Sequence, residues 1–253
     1  MLRTVGKRVL RAWPPLFERT AAYVKARDIR RGLWVEPELA LVALTLGPGD
    51  TAIDVGANYG LWSYHLARAV RPTGRVIAFE PISSTVRILS DVLQRLGVAE
   101  TVSVNACGVS DRNDQVTFTV PLAGKLALPV RGLAHITPPG QDEDPLAVEG
   151  QVVRLDDWPI GGHVSLLKID VEGGELAALR GAVGLLTEHR PMVICETGLE
   201  GRYGHSTGDV VAFMATLGYH PYQYREGILE PFDRAGPAAD LNLVFSPLSS
   251  MGP

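Results

Sequence analysis

The stretch Asp54-Val-Gly-Ala-Asn-Tyr-Gly60 decides the fold, because a strand leads into it and a helix leads out of it. The apolar and β-branched run Thr51–Val55 predicts a buried strand, and the apolar spacing of Leu61–Val70 predicts a helix. Glycine lets the backbone turn tightly and lets a ligand approach it closely, and the helix N-terminus offers unpaired N–H groups. The unit therefore predicts a cofactor-binding turn that includes Gly56, Asn58 and Gly60.

Strands and helices alternate regularly downstream of this unit. The predicted strands are Arg75–Glu80, Val102–Cys107, Val164–Val171 and Met192–Glu196, and the predicted helices are Ser83–Leu96, residues 174–186 and Asp209–Leu217. Tyr219–Arg225 and Asp240–Ser246 are predicted to close the sheet as an antiparallel pair. Strands that are apolar on both faces and alternate with helices indicate an α/β fold, with a mostly parallel sheet covered by helices on both faces.

The composition is that of a globular protein. The chain has 253 residues, of which 46% are hydrophobic and 21% charged, and this excludes a disordered chain, a collagen and a coiled coil. No apolar run reaches the roughly 18 residues that a membrane span needs. Two cysteines cannot build a disulfide framework, so a reducing compartment and a cytoplasmic location are predicted.

Charge separates the N-terminus from the rest of the chain. The first 31 residues hold nine Lys or Arg against two acids, so they carry +7 while the remainder carries −11. An acidic body argues against nucleic acid as the main partner. Residues 1–48 are predicted to form a basic helical extension, which could dock on an anionic membrane or on acidic groups, or could pack on the body with its cations in water. The last interpretation is favoured, and a homodimer through the extension is plausible.

A proline-rich segment at about residues 121–150 interrupts the alternation. It contains five prolines and the acidic cluster Asp142-Glu-Asp144. Long irregular segments in compact domains are usually functional lids or disordered insertions. Its place between the two halves of the sheet predicts a lid over the substrate crevice.

Two carboxylates indicate the cofactor. Asp54 precedes the turn, and a pyrophosphate would have to come close to its negative charge, which disfavours NAD. Glu80 ends the next strand, where an acid can accept hydrogen bonds from both ribose hydroxyls of a nucleoside. Together they point to S-adenosylmethionine, whose ammonium and sulfonium groups suit Asp54. A helix cap at Asn58 and a surface acid at Glu80 are the simpler alternatives, and Asn105 is predicted to border the adenine.

Several motifs resemble the FkbM family of methyltransferases from about Gly49 to Tyr224. They are the glycine turn, Ala78-Phe-Glu-Pro81, Asn105-Ala-Cys-Gly-Val-Ser-Asp111, Leu155-Asp-Asp157, Leu167-Lys-Ile-Asp-Val-Glu-Gly-Gly-Glu175 and Ile194-Cys-Glu196. The resemblance implies a class I methyltransferase domain over residues 49–253, with seven strands in the order 3-2-1-4-5-7-6. It also implies O-methylation of a hydroxyl on a sugar, an oligosaccharide or a glycosylated natural product.

Residues at the strand ends are the candidates for chemistry. Asp170 is predicted to lie beside the cofactor's methionine portion, and Glu172 follows it with the same side-chain direction. Asp170 and Glu196 could hold Mg²⁺ against the acceptor hydroxyl. His135 in the lid could instead remove the proton as a general base, and the two routes could cooperate. Alternatively, Asp170 hydrogen-bonds the cofactor's amino group or caps the helix that follows it, Glu196 caps the next loop, and His135 is an exposed loop residue.

Two other function classes stay open. An NAD(P)-dependent oxidoreductase would use the same kind of strand–turn–helix unit, but the third glycine of its fingerprint is missing here. A non-catalytic partner protein with the same fold would be expected to lack the strand-end acids, and this sequence has them all.

Overall fold

The computed structural model describes residues 14–123, 128–129, 133–138, 147–232 and 241–247. Its larger sheet has eight strands, in the spatial order β13-β12-β14-β11-β10-β1-β2-β3. Their bounds are β1 Thr51–Val55, β2 Arg75–Phe79, β3 Val102–Asn105, β10 Val164–Ile169, β11 Met192–Thr197, β12 His220–Arg225, β13 Ile228–Pro231 and β14 Leu241–Ser246. A smaller sheet holds β4 Gly108–Val109, β5 Asp114–Thr119, β8 His135–Ile136 and β9 Ala147–Val153, and a hairpin pairs β6 Leu122–Ala123 with β7 Leu128–Pro129.

The predicted α/β fold and strand order are confirmed. Strands β3, β2, β1, β10 and β11 run parallel, and β14 inserts antiparallel between β11 and β12. This is the order 3-2-1-4-5-7-6, to which β13 adds an eighth strand on the edge. The central strand β1 is buried along its whole length because helices cover both faces of the sheet.

Seven α-helices lie within the described residues. They are α1 Pro14–Arg30, α2 Val42–Thr45, α3 Leu61–Val70, α4 Ser83–Leu96, α5 Glu175–Arg180, α6 Val183–His189 and α7 Thr207–Thr216, and a 3₁₀ turn over Pro37–Leu41 precedes α2. The prediction of a single helix over residues 174–186 is wrong, since the helix is interrupted between α5 and α6. At the break, a Cβ on Gly181 would lie 2.0 Å from the carbonyl oxygen of Ser110, so only glycine allows this approach.

The proline-rich segment is more regular than predicted. Within its described part, β8 pairs antiparallel with β5 and extends the smaller sheet. Its apolar side chains Ala134 and Ile136 pack with the core of that sheet around Phe118. Residues 124–127, 130–132 and 139–146, including the acidic cluster, lie outside the described residues.

The N-terminal extension is helical where it is described and packs on the body. Residues 1–13 lie outside the described part, and α1 follows them. Its buried side chains Ala22, Ala26 and Ile29 form one apolar cluster with Leu61, Ile88 and Val92 of α3 and α4. No helix in the described ranges has both the length and the apolar character needed to cross a membrane.

Candidate functional site

The glycine turn connects β1 to α3 and touches the neighbouring strand. Gly56 has a φ of +79°, and a Cβ on it would lie 1.8 Å from the carbonyl oxygen of Asp170. The amide of Asp170 in turn donates to the carbonyl of Val55 at 3.0 Å. Glycine is therefore required where β1 and β10 end together, and this contact brings the turn and Asp170 into one cleft. Gly60 has a φ of +86° and precedes α3.

Asp54 lies beneath the turn and is almost completely buried. Its Oδ2 accepts a hydrogen bond from the hydroxyl of Ser63 at 2.5 Å. Burial raises the pKa of Asp54 to about 6, while the Ser63 hydroxyl and the ammonium of Lys168 act in the opposite direction. Ser63 lies on α3 nine positions away, and no motif in the sequence marks it as a partner of Asp54.

Glu80 is buried at the end of β2 and holds the turn. Its two carboxylate oxygens accept the backbone N–H groups of Asn58 at 3.1 Å and Ile82 at 2.9 Å. Burial raises the pKa of Glu80 to about 7, against the lowering effect of these two hydrogen bonds. Asn58 adopts a φ of +48°, and its buried Oδ1 has no hydrogen-bond partner within the described part of the chain. An amide oxygen held in this way is available to a ligand donor.

Asn105 is engaged by the sheet itself. Its side-chain amide donates to the carbonyls of Ala78 at 3.1 Å and Ser103 at 3.2 Å, and its own carbonyl accepts the N–H of Glu80. Asn105 is absent from the described lining of the cleft, although its backbone contact fixes Glu80. Its predicted place beside the adenine stays a prediction.

A cleft opens between the strand ends, the smaller sheet and β8. Three groups of residues line it: the turn with Glu80, the acids that follow β10, and an apolar wall from the smaller sheet and β8. The lining residues are Val55, Gly56, Asn58, Glu80, Pro81, Gly108, Val109, Phe118, Ala134, His135, Ile136, Val152, Asp170, Val171, Glu172 and Gly174. The cleft thus brings together five predicted site residues: Gly56, Asn58, Glu80, His135 and Asp170.

Three carboxylates converge at the ends of β10 and β11. One carboxylate oxygen from each of Asp170, Glu172 and Glu196 lies within 4.8 Å of the others. A hydrogen bond with Asp170, together with burial, raises the pKa of Glu196 to about 9. The close approach of the three side chains concentrates negative charge, and carboxylate oxygens in this number suit a hard divalent cation. The structure therefore adds Glu172 to the predicted pair.

Lys168 supplies the positive charge beneath these acids. Its side chain is buried inside β10, with Nζ 2.9 Å from Oδ1 of Asn242 and 3.9 Å from Oδ2 of Asp170. It also faces the ring of Trp62, whose centroid is 5.4 Å away. A buried ammonium needs such polar partners. Asn242 comes from β14, 74 residues further along the chain, so no local motif connects it to Lys168.

His135 lies on β8 and faces the cleft. Its ring Nδ1 is 3.1 Å from the carbonyl oxygen of Leu133, which leaves Nε2 as the nitrogen that points away from that contact. The hydroxyl of Tyr203 donates to the carbonyl of Ile136 at 2.6 Å and so ties β8 to the segment that follows β11. Burial raises the pKa of Tyr203 to about 12, so the hydroxyl keeps its proton for this bond.

The chain matches a family model and is similar in sequence to two named proteins. The sequence model described as "Methyltransferase FkbM domain" matches residues 54–221. AMB antimetabolite synthetase AmbE of Pseudomonas aeruginosa is 28% identical in a 236-residue alignment that covers 80% of this chain and 11% of that protein. Methyltransferase 1 of Beauveria bassiana is 29% identical in a 149-residue alignment that covers 53% of this chain and 59% of that one. The chain spans less than two thirds of the length of either relative.

Solved structures show the same fold. Methyltransferase FkbM from Methylobacillus flagellatus has a TM-score of 0.52 at 19% identity, covering 83% of this chain and 50% of that one. A putative rRNA-methylase from Clostridium thermocellum has a TM-score of 0.51 at 13% identity, covering 82% of this chain and 90% of the other. At these identities the likeness shows the fold alone.

Proposed function

The chain belongs to the FkbM family of S-adenosylmethionine-dependent methyltransferases, and from this premise we propose that it methylates a hydroxyl of a sugar, an oligosaccharide or a glycosylated natural product. The observation that carries the proposal is the single cleft that joins the glycine turn to His135 and to the acids Asp170 and Glu172. Glu196 adjoins both acids from the next strand. A cofactor turn and groups able to activate a hydroxyl thus share one space.

The turn residues would hold the cofactor. S-adenosylmethionine, when bound, supplies an electrophilic methyl group. Glu80 would accept hydrogen bonds from its ribose hydroxyls, since each carboxylate oxygen keeps a lone pair beyond its backbone contact. The open Oδ1 of Asn58 would accept from a further donor, and the buried charge of Asp54 would favour the ammonium and sulfonium groups. Gly56 allows the ligand to approach the backbone.

Two groups are placed to act on the acceptor hydroxyl. The acids Asp170, Glu172 and Glu196 would hold Mg²⁺, which lowers the pKa of a hydroxyl and suits a diol. His135 would accept the hydroxyl proton through Nε2 while the Leu133 carbonyl orients the ring. The acceptor oxygen must be held about 3–3.5 Å from the methyl carbon in line with the breaking bond, and the apolar wall of Phe118 and Ile136 would position it.

Cofactor binding is tested first, by comparing S-adenosylhomocysteine with NAD. S-adenosylhomocysteine should raise the melting temperature of the protein, whereas NAD should leave it unchanged. The reverse result would favour the oxidoreductase alternative. Turnover is then measured with labelled S-adenosylmethionine on a panel of glycosides, and no turnover despite cofactor binding across the panel would contradict the saccharide acceptor.

The metal and the histidine are separated by chelation and substitution. EDTA should lower turnover strongly and Mg²⁺ should restore it, and Asp170→Asn or Glu196→Gln should mimic the chelated enzyme. His135→Ala should leave a residual rate. Glu230→Gln and His220→Ala make the same chemical changes at exposed positions and should leave turnover unchanged.

The results of these experiments identify the group that activates the acceptor hydroxyl. Full activity in EDTA would contradict the metal and leave His135 as the base. A full rate in His135→Ala together with sensitivity to the chelator would assign the step to the cation alone.

Location and assembly belong to the same proposal. Cys107 and Cys195 are both buried, and burial raises the pKa of the Cys107 thiol to about 11. Unreactive thiols suit the predicted reducing, cytoplasmic compartment. A homodimer stays a prediction, which sedimentation of the full chain would test.

A further inference from the structure

The outward face of α1 combines arginines with apolar side chains. Its exposed residues recur at helical spacing and form a stripe about 100° wide, consisting of Leu16, Arg19, Thr20, Tyr23, Arg27 and Arg30. The stripe contains no acidic residue. The two acids of α1 lie beside it and are only partly exposed: Glu18 pairs with Arg87 of α4, and Asp28 pairs with Arg27.

The same character continues past the end of α1. Arg31, Leu33 and Val35 are exposed, whereas Trp34 between them packs inward with the buried cluster. Lys25 also faces inward, with Nζ 4.3 Å from the centroid of the Trp34 ring. The stripe on α1 together with Arg31, Leu33 and Val35 is called the N-terminal face below.

Exposed apolar side chains are concentrated here. Seven large hydrophobic residues are exposed within the described part of the chain, and five of them lie between residues 16 and 44. Leu33 and Val35 are 67% and 62% exposed, and Tyr23 is 58% exposed. A solvated surface needs no such group, whereas a surface that enters the headgroup region of a bilayer needs apolar side chains beside its cations.

The positive charge of the N-terminal segment favours an anionic binding partner. The first 31 residues carry +7 and the remaining residues carry −11, so an anionic partner is attracted to this end and repelled by the rest. Phosphates of a nucleic acid would match the arginines but offer no hydrocarbon to Leu16, Leu33 and Val35. An anionic lipid surface offers both charged headgroups and an acyl boundary.

We propose that the N-terminal face binds the surface of a membrane that contains anionic lipids, with its arginines at the headgroups and Leu16, Tyr23, Leu33 and Val35 in the interfacial layer. The association is peripheral and reversible. It is independent of the methyl transfer, because every residue of this face lies outside the described lining of the cleft.

Vesicle sedimentation of the full chain tests the proposal. The protein should pellet with vesicles of about two parts phosphatidylcholine to one part phosphatidylserine and remain in solution with phosphatidylcholine alone. Raising the salt from about 0.1 M to about 1 M shortens the screening length from roughly 10 Å to roughly 3 Å and should release it. Equal binding to both vesicle types, or no binding to either, would overturn the proposal.

Substitutions separate charge from apolar insertion. Arg19→Gln/Arg27→Gln/Arg31→Gln should weaken binding on the order of a hundredfold, since each cation near an anionic surface contributes roughly a fivefold factor. Arg30 is kept because its guanidinium donates to the carbonyl of Arg95 and anchors α1 on α4. Leu16→Gln/Tyr23→Gln should weaken binding by roughly tenfold at unchanged charge.

A matched control lies at the β12–β13 turn, outside the N-terminal face. Arg225→Gln/Ile228→Gln removes an exposed cation and an exposed apolar side chain at the β12–β13 turn and should bind like the unchanged protein. Equal losses in the control and the N-terminal variants would overturn the assignment to this face. Retention of single-stranded RNA without retention of vesicles would overturn it as well. Far-UV circular dichroism and cofactor affinity verify that each variant is folded.

Discussion

Burial controls the protonation of single acidic side chains in and next to the cleft. Asp54 and Glu80 have their pKa values raised to about 6 and about 7 because water is excluded from them, and Glu196 reaches about 9 because it also shares a hydrogen bond with Asp170. Asp54 and Glu80 therefore change charge close to neutral pH, where an ordinary carboxyl would be fully ionised. Ligands that bring positive charge or hydrogen-bond donors are favoured by the ionised forms.

Glu80 should make cofactor binding depend on pH. We expect the affinity for S-adenosylhomocysteine, measured by calorimetry, to rise up to about pH 7 and then level off, because an ionised carboxylate accepts hydrogen bonds better than a protonated one. Glu80→Ala should weaken binding by roughly 1.5–3 kcal/mol. Glu80→Gln should flatten the pH profile, and an unchanged profile in that variant would contradict the role of Glu80.

The same pKa affects the ligand-free protein. The native state keeps the Glu80 proton up to about pH 7, while the unfolded state releases it near 4.5, so this stabilising contribution is lost as the pH rises through that window. We expect the free energy of unfolding to fall across the window and the fall to be smaller in Glu80→Gln. Urea unfolding at several pH values measures both.

Some site residues could be predicted because a local sequence motif marks them, and others have no such motif. Gly56 and Glu80 could be predicted because backbone geometry and strand position determine them within one strand–turn–helix unit. It was not possible to predict the roles of Ser63, Asn242 and Tyr203, because each contacts a partner that only the folded chain brings close. These partners are Asp54, Lys168 and the backbone of β8, respectively. Such contacts leave no trace in the local spacing.

Among the elements, the break between α5 and α6 depends on one glycine. Gly181→Ala should lower the free energy of unfolding by roughly 1–3 kcal/mol, because the new Cβ would lie 2.0 Å from the Ser110 carbonyl and the two segments would have to separate. Gly201→Ala is the control, as a Cβ there meets nothing within 4 Å. Denaturant unfolding compares the two, and equal effects would contradict the packing argument.

Strand β8 lines the cleft, and a hydrogen bond from Tyr203 to its backbone holds it in place. Tyr203→Phe removes the 2.6 Å hydrogen bond to the Ile136 carbonyl and should raise the acceptor KM by roughly 2- to 10-fold, with cofactor affinity unchanged. Tyr219→Phe removes a comparable hydroxyl, bonded to the Leu186 carbonyl away from the cleft, and should leave KM unchanged. An equal loss of acceptor and cofactor binding in Tyr203→Phe would mean that the segment is only structural.

Long, periodic elements could be predicted from the sequence, and short ones could not. Leu61–Val70 and Ser83–Leu96 have the predicted bounds because apolar residues repeat along them at helical spacing. Strand β8 has two residues and is stabilised by pairing with β5, so its own sequence carries no strand pattern. The division into α5 and α6 was missed because Gly181 alone does not reveal the Ser110 carbonyl opposite it.

On the scale of the whole molecule, the N-terminal extension is packed into the body. Ala22→Glu places a carboxylate in the buried contact between α1 and α4 and should lower the free energy of unfolding by roughly 3–5 kcal/mol. Thr20→Glu on the outward face should change it by about 0.5 kcal/mol or less. We expect one cooperative transition in calorimetry, and two separate transitions would show that residues 14–48 fold independently of the rest.

The insertion of β14 between β11 and β12 determines how the sheet is completed during synthesis. Ribosomes produce β11, β12 and β13 before Leu241–Ser246, so a nascent chain holds two strands whose facing edges have no partner yet. Unpaired edges are templates for aggregation. In the same interval the ammonium of Lys168 lacks its hydrogen bond to the side chain of Asn242. Translation that stops before residue 241 therefore yields an incomplete, aggregation-prone sheet. Chaperones that cover strand edges should be needed most before β14 has been synthesised.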